Sequence, residues 1–415
     1  MKKTVSALAI AILGLACSRE EVQERTASVS EKVSTVTERV AVPFGRPDDP
    51  AARERERFDT KWREAQSFRE QQAAAAQRQR AAQAAQKVQF VRGAKESFTG
   101  MTPDAINSAP VSVPITGDVS GPSVLKTQVY LDRMNHSVGV VDGRWGKNTA
   151  IALWWFQRSR GLQATGDVDQ KTFQMLADEA GGAPAVVTHN VTSEDVEGPF
   201  VAIPEEVYDK AKLDCLCYES AKEKLAEKFH TTTEFLELLN PNVDFSSLSA
   251  GQTLTVPNVR PAVRSDRPDI SRIVVSLNGN TFNAFDSAGN LLFHAPTTVG
   301  NEYDPSPTET LKITAIAHDP HFHYQPKLFH EVPDDEPEAN LQPGPNSPVG
   351  VVWMALSKPH YGIHGTSDPA SIGYASSHGC IRLTNWDARE VAHRASPGVQ
   401  VEFVDTRGGG ATPAE

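Results

Sequence analysis

Ile363-His364-Gly365-Thr366-Ser367-Asp368-Pro369-Ala370-Ser371-Ile372-Gly373-Tyr374, then Ser376-Ser377-His378-Gly379-Cys380-Ile381-Arg382-Leu383, is the most informative stretch of the chain. A free cysteine near a histidine is weak evidence by itself, because such cysteines are commonly buried and inert. Here Cys380 follows a glycine, which lets a second chain approach the sulfur closely. His364 lies sixteen residues earlier, beside another glycine, at the end of an apolar run. A solitary cysteine in that setting is suited to work as a thiolate nucleophile.

Upstream of this stretch the texture is that of short alternating strands. Arg272-Ile273-Val274-Val275-Ser276-Leu277, Thr281-Phe282-Asn283-Ala284-Phe285 and Leu291-Leu292-Phe293 are separated by Asn-Gly and Ala-Gly-Asn turns. Two hairpins in succession predict an antiparallel sheet. Leu311 to Ala317 and Val349 to Leu356 add further strands. Between them, 318–346 is a long loop rich in proline and histidine, of the kind that covers functional sites.

His364-Gly365-Thr366, Pro369-…-Ser371-Ile372-Gly373 and Ser377-His378-Gly379-Cys380-Ile381-Arg382 together resemble, in order and spacing, the YkuD family of L,D-transpeptidases, with the catalytic domain expected over 268–405. The family usually has Pro-x-Gly where this chain has Pro307-Thr308-Glu309-Thr310. The resemblance implies a β-sandwich with the cysteine at one mouth, under a lid loop. It implies acyl transfer on peptidoglycan tetrapeptide stems through a Cys380 thioester, with 3-3 cross-links or an amine acceptor as the outcome. Hydrolysis of the same thioester (an L,D-carboxypeptidase or a murein–lipoprotein hydrolase) and a non-catalytic wall anchor are the alternatives. His364 is then the base, the Gly365 carbonyl orients its ring, and backbone N–H groups at Gly379 and Cys380 stabilise the oxyanion. His378, Arg382, Ser377 and Tyr324 are expected on the substrate, with an Arg382–Asp387 ion pair as the other reading of Arg382. No cofactor is implied. His321-x-His323 would place two rings on one side of a strand, but without a third ligand at an established spacing no metal is expected.

Working towards the N-terminus, 187–260 is expected to hold a small α+β module with a preceding linker. Ser220 caps a helix carrying Leu225 and Phe229, a second helix stops at Asn240-Pro241, and Gly251-Gln252-Thr253-Leu254-Thr255-Val256-Pro257 reads as a strand. These elements resemble a LysM glycan-binding module, although Cys215-Leu216-Cys217-Tyr218-Glu219-Ser220 replaces its usual opening turn. With one residue between them, Cys215 and Cys217 are expected to be unpaired thiols. Residues 119–180 predict three helices separated by Asp/Gly turns, Asp142-Gly143-Arg144-Trp145-Gly146 and Thr165-Gly166-Asp167-Val168-Asp169. They resemble a peptidoglycan-binding three-helix domain. Trp154 and Trp155 cannot both face its core, so one offers a stacking surface or flanks a domain contact.

Residues 18–118 are Ala-, Gln- and Glu-rich with scarcely any apolar stripe, which predicts a helical or disordered spacer. Residues 1–17 read as an export signal: Lys2 and Lys3 precede an apolar run from Val5 to Ala16, shorter than the roughly 20 residues a bilayer span needs. Leu13-Gly14-Leu15-Ala16-Cys17 resembles a lipoprotein signal with Cys17 as the lipidation site; the alternative is an ordinary secretory signal. Residues 406–415 are expected to be a disordered tail. At 415 residues the chain is multidomain, and its net charge of −11 argues against nucleic acid or an acidic membrane surface as partner. The expected address is the periplasm or cell envelope, with peptidoglycan as partner and the membrane reached only through a lipid anchor, at the outer membrane if Cys17 is lipidated.

Overall fold

The computed structural model describes residues 88–93, 95–261 and 269–405. The expected export signal, Cys17 and its lipidation, most of the spacer and the tail from 406 lie outside the described residues. No helix among the described residues is long and apolar enough to cross a membrane.

The end of the expected spacer is structured. Strand β1 (Phe90–Arg92), helix α1 (Pro103–Ser108) and strand β2 (Val111–Val113) form a unit in which β1 and β2 pair in parallel. Thr102 caps α1 by accepting from the Ala105 N–H, with Pro103 in the first turn, and Ile106 and Val111 are buried against the next domain.

That domain holds α2 (Pro122–Arg133), α3 (Lys147–Ser159) and α4 (Gln170–Glu179) around Leu125, Val129, Leu153, Phe156, Phe173 and Leu176. Each Asp/Gly turn is clamped by a buried glutamine. Gln128 Oε1 accepts from Gly143 N–H at 2.7 Å, and Gln157 Oε1 accepts from Thr165 and Gly166 N–H at 2.9 Å each. A carboxamide both donates and accepts, so it can close a turn from inside without leaving a polar atom orphaned. Trp155 is the buried member of the tryptophan pair and stacks on His294 of the catalytic sheet at 5.9 Å.

In the next unit, β3 (Val186–Asn190) pairs antiparallel with β4 (Thr253–Pro257). Between them come short helices α5 (Ser193–Val196) and α6 (Val207–Lys210), then α7 (Ala221–Lys228) and α8 (Thr233–Leu239). Its first strand thus lies in the stretch expected to be linker. Cys215 and Cys217 are joined by a disulfide, correcting the expectation of two thiols. The segment is not a strand, and its Cα atoms are 5.2 Å apart, within disulfide reach.

The catalytic domain corrects the expected β-sandwich. Strands β5 (Arg272–Ser276), β6 (Thr281–Phe285), β7 (Leu291–Pro296) and β8 (Leu311–His318) agree with the sequence expectation. A small cover sheet follows, β9 (Phe322–Tyr324) with β10 (Ala339–Leu341), then β11 (Val352–Leu356), β12 (Gly362–His364), β13 (Ile381–Arg382), α9 (Asn385–Arg394) and β14 (Gln400–Val404). The main strands form one eight-stranded mixed sheet in the order β13-β12-β11-β8-β14-β5-β6-β7. The reason is β14, which pairs parallel to β5 and antiparallel to β8 and so merges the hairpins and the reactive strands into one ladder. The sheet curls so that the segment past its last strand reaches the opposite edge: Thr298, just past β7, exchanges backbone hydrogen bonds of 3.1 and 2.9 Å with Arg382 in β13. The result is a half-barrel.

The three units share a buried charge network. Arg260, which follows β4, bonds Asp132 of α2 and Asp387 of α9, and Ser137 Oγ donates to Asp387 at 2.8 Å. Asp387 is therefore not the partner of Arg382, and the ion-pair reading of Arg382 falls. Buried charges of this kind are tolerable only when paired and hydrogen-bonded on every side.

Candidate active site

Strands β12 and β13 run parallel, with Ile363 opposite Ile381 and His364 opposite Arg382. Side chains alternate along a strand, so His364, Arg382 and the preceding Cys380 project to one face. That face opens into a cavity of about 600 Å³ whose lining includes Cys380, His364, Arg382, His378, His360, Trp353, Tyr324 and Phe329.

His364 is almost fully buried. Its Nδ1 lies 2.7 Å from the Gly365 carbonyl oxygen. A carbonyl can only accept, so the neutral ring carries its proton on Nδ1 and keeps a lone pair on Nε2. Burial, with the Arg382 charge adding to it, pushes the imidazole pKa down to about 3. Trp353, opposite His364 in β11, stacks on the ring at 5.3 Å and 20°.

Cys380 donates its thiol hydrogen to the His360 carbonyl at 3.5 Å. His360 has a φ of +68°, a left-handed conformation uncommon outside glycine. Burial raises the thiol pKa, while the Gly362 backbone N–H and the Arg382 guanidinium act against it. No direct Cys380–His364 hydrogen bond occurs among the described residues. The resting pair is thus a neutral thiol and a neutral imidazole sharing one cavity.

Gly379 has a φ of +96°, and a Cβ there would sit 2.8 Å from the Tyr361 ring and 3.2 Å from the Pro305 carbonyl oxygen. Its carbonyl accepts from Ser306 Oγ at 2.8 Å. In a trans peptide the Cys380 N–H points the opposite way, away from Ser306. Ser377, expected on the substrate, is buried and donates its Oγ to the Cys380 carbonyl at 2.6 Å, so it shapes the loop rather than facing the cavity. His378 faces the cavity with Nε2 2.7 Å from Glu331. Arg382 is mostly buried, lines the cavity, and leaves its Nε without a partner among the described residues. Tyr324 lines the opposite wall, packed against Tyr208 and Phe329.

Three residues of the site went unread in the sequence. His360 supplies the carbonyl beside the thiol, and Trp353 supplies the face under the imidazole. Asn385 lies beneath the loop: its Oδ1 accepts from Thr366 N–H at 3.1 Å and Val351 N–H at 3.3 Å, and its Nδ2 donates to Glu227 at 2.8 Å. A Cβ on Gly365 would come within 2.1 Å of that Oδ1, which explains the glycine beside His364. The Trp353–His364 pairing depends on the register between two strands, and the other two depend on turns that carry no periodic signal.

Comparison with known proteins yields two family matches. Residues 270–403 match the L,D-transpeptidase catalytic domain (YkuD), and residues 120–176 match the "Putative peptidoglycan binding domain". The chain is similar to "Putative L,D-transpeptidase YkuD" of Bacillus licheniformis, 35% identical over 183 residues covering 44% of this chain and 92% of that protein. The protein of the same name from Bacillus subtilis is 32% identical over 178 residues, covering 43% and 89%. Among solved structures, L,D-transpeptidase 3 from Mycobacterium tuberculosis in complex with a faropenem-derived adduct aligns with a TM-score of 0.28 and 16% identity, over 38% of this chain and 76% of that one.

Proposed function

Because this chain belongs to the YkuD family of L,D-transpeptidases, we propose that Cys380 and His364 carry its acyl transfer on peptidoglycan tetrapeptide stems. The carrying observation is that both side chains open into one cavity while His364 keeps its Nε2 lone pair free. As the substrate carbonyl arrives, Nε2 takes the thiol proton and the sulfur attacks the amide between the diaminopimelate L-centre and the terminal D-Ala. The Cys380 N–H is the oxyanion donor, and one such donor is worth on the order of 10²–10³ in rate. The imidazolium then protonates the departing D-Ala nitrogen, leaving a thioester on Cys380. A second stem's amine attacks that thioester, gives its proton back through His364, and releases a 3-3 cross-link with the thiol restored.

Arg382 lines the cavity, and its guanidinium supports binding of a stem carboxylate there. The apolar wall of Trp353, Tyr324 and Phe329 supports transfer over hydrolysis, because it limits water at the thioester. The LysM-like module acts as a brace in this scheme. Its insert reaches the cover, where Leu216 N–H donates to the Pro343 carbonyl at 3.0 Å and Leu216 packs with Tyr324 and Leu341. The helical domain holds the enzyme on the wall, and the site of action is the cell envelope.

Incubation with purified tetrapeptide-stem muropeptides tests the proposal: cross-linked dimers are the expected product. Tripeptide stems alone would transfer the assignment to L,D-carboxypeptidase action.

The pH profile is a second expectation. The reactive form holds one proton between Cys380 and His364. Protonating His364 destroys it on the acid side, and losing the thiol proton destroys it on the alkaline side. With His364 pushed down to about 3 and the thiol pushed up, the plateau of kcat/KM should be broad. Its acid limb should fall well below the ordinary histidine range near 6.5. A limb centred near 6.5, measured in acylation by a carbapenem, would contradict the buried neutral imidazole.

A further inference from the structure

We propose that Asp304, His330, Glu331 and His378 form a binding site for a divalent transition-metal cation of the zinc type, which fastens the cover of the cavity to the Cys380 loop. The four residues each offer one ligand atom, and these atoms lie within 4.8 Å of one another. They come from three segments: Asp304 from the loop after β7, His330 and Glu331 from the cover, and His378 from the turn before β13. His330 Nδ1 is 2.6 Å from Asp304 Oδ2 and 3.1 Å from Glu331 Oε2, and His378 Nε2 is 2.7 Å from Glu331 Oε1.

Tetrahedral zinc with bonds of about 2.0–2.1 Å sets its donors roughly 3.4 Å apart, so only partly exposed side chains need to shift to seat it. Two neutral imidazoles and two carboxylates carry the charge that balances a divalent ion. The mixed nitrogen and oxygen set suits zinc, cobalt or nickel, whereas calcium and magnesium favour oxygen ligands alone. Both rings are held from outside the cluster: His330 stacks on Tyr303 at 4.9 Å, and His378 meets the edge of Phe329 at 4.8 Å. Packing of that kind restricts the rotation of both rings.

Coordination puts the cation where each histidine–carboxylate contact now lies, with each neutral ring carrying its proton on the nitrogen that does not bind the metal. The loaded site ties the cover to His378, two residues from the nucleophile, and a stem peptide enters once the cation leaves. Cation binding does not depend on the role proposed for Cys380; only its effect on turnover does.

The test uses the full, untagged chain freed of metal by a chelator. Titration with Zn²⁺ should show one cation per chain, and Co²⁺ should give visible absorption without a sulfur-to-cobalt band. Affinity should fall at least ~10-fold in His330→Ala and in Asp304→Asn, and should persist in Cys380→Ala. Carbapenem acylation of the wild type should slow with Zn²⁺ and recover on chelation, with His330→Ala far less sensitive. No binding, binding unchanged in both cluster variants, or binding lost in Cys380→Ala would each overturn the site. Binding at the cluster with acylation unslowed would overturn the fastening of the cover.

Discussion

Cys380→Ala is expected to abolish turnover, with a loss on the order of 10⁴-fold or more, because removing the nucleophile of a covalent mechanism leaves only binding and oxyanion stabilisation. The fold should survive the change. The thiol donates a long hydrogen bond to the His360 carbonyl, and losing a bond of that kind costs roughly 1 kcal/mol. A melting temperature within a few degrees of wild type, with absent cross-linking on tetrapeptide-stem muropeptides, is the predicted pair of results. A variant that retains a tenth of wild-type activity would show that the sulfur is not the attacking atom.

His364→Gln should lose 10²- to 10⁴-fold in acylation rate, the usual range for removing a general base. The size of the loss alone does not separate a base from a ring that merely packs against Trp353. The pH dependence does. Without a base, the reactive species becomes the free thiolate, which the buried site disfavours at neutral pH. The variant's rate should therefore climb about tenfold per pH unit through neutral and mildly alkaline pH, while the wild type stays flat. A variant with a flat profile and a uniformly reduced rate would assign His364 a packing role.

These outcomes depend on features of very unequal visibility in the sequence. The hairpin strands were legible because Asn-Gly and Ala-Gly-Asn turns punctuate alternating apolar residues, which is local information. The His364–Cys380 constellation was legible as a motif, and strand alternation explains why residues sixteen apart share a face. The helical domain was legible through its two Asp/Gly turns; the buried glutamines that lock them look like any polar helix residue in the sequence.

What stayed hidden depends on distant partners. The single curled sheet follows from where β14 inserts, a choice made by contacts more than a hundred residues apart in sequence. The Asp132–Arg260–Asp387 network joins residues that are individually ordinary surface types, and only burial makes them a unit. The Cys215–Cys217 disulfide is hidden because a one-residue spacing argues against it, and only the irregular path of the chain brings the two Cα atoms to 5.2 Å with the sulfurs facing each other. Ser377 was placed on the substrate by its motif position, yet its hydroxyl is spent on the Cys380 carbonyl. The cover's His330 and Glu331 meet His378 across 47 and more residues, so the cluster exists only in three dimensions.

Trapping the acyl-enzyme tests the central proposal most directly. After exposure to a carbapenem, intact-mass measurement followed by peptide mapping should find one adduct per chain, on the peptide bearing Cys380, and none in Cys380→Ala. An adduct that persists in Cys380→Ala, or its absence from the wild type, would contradict a thioester at this sulfur.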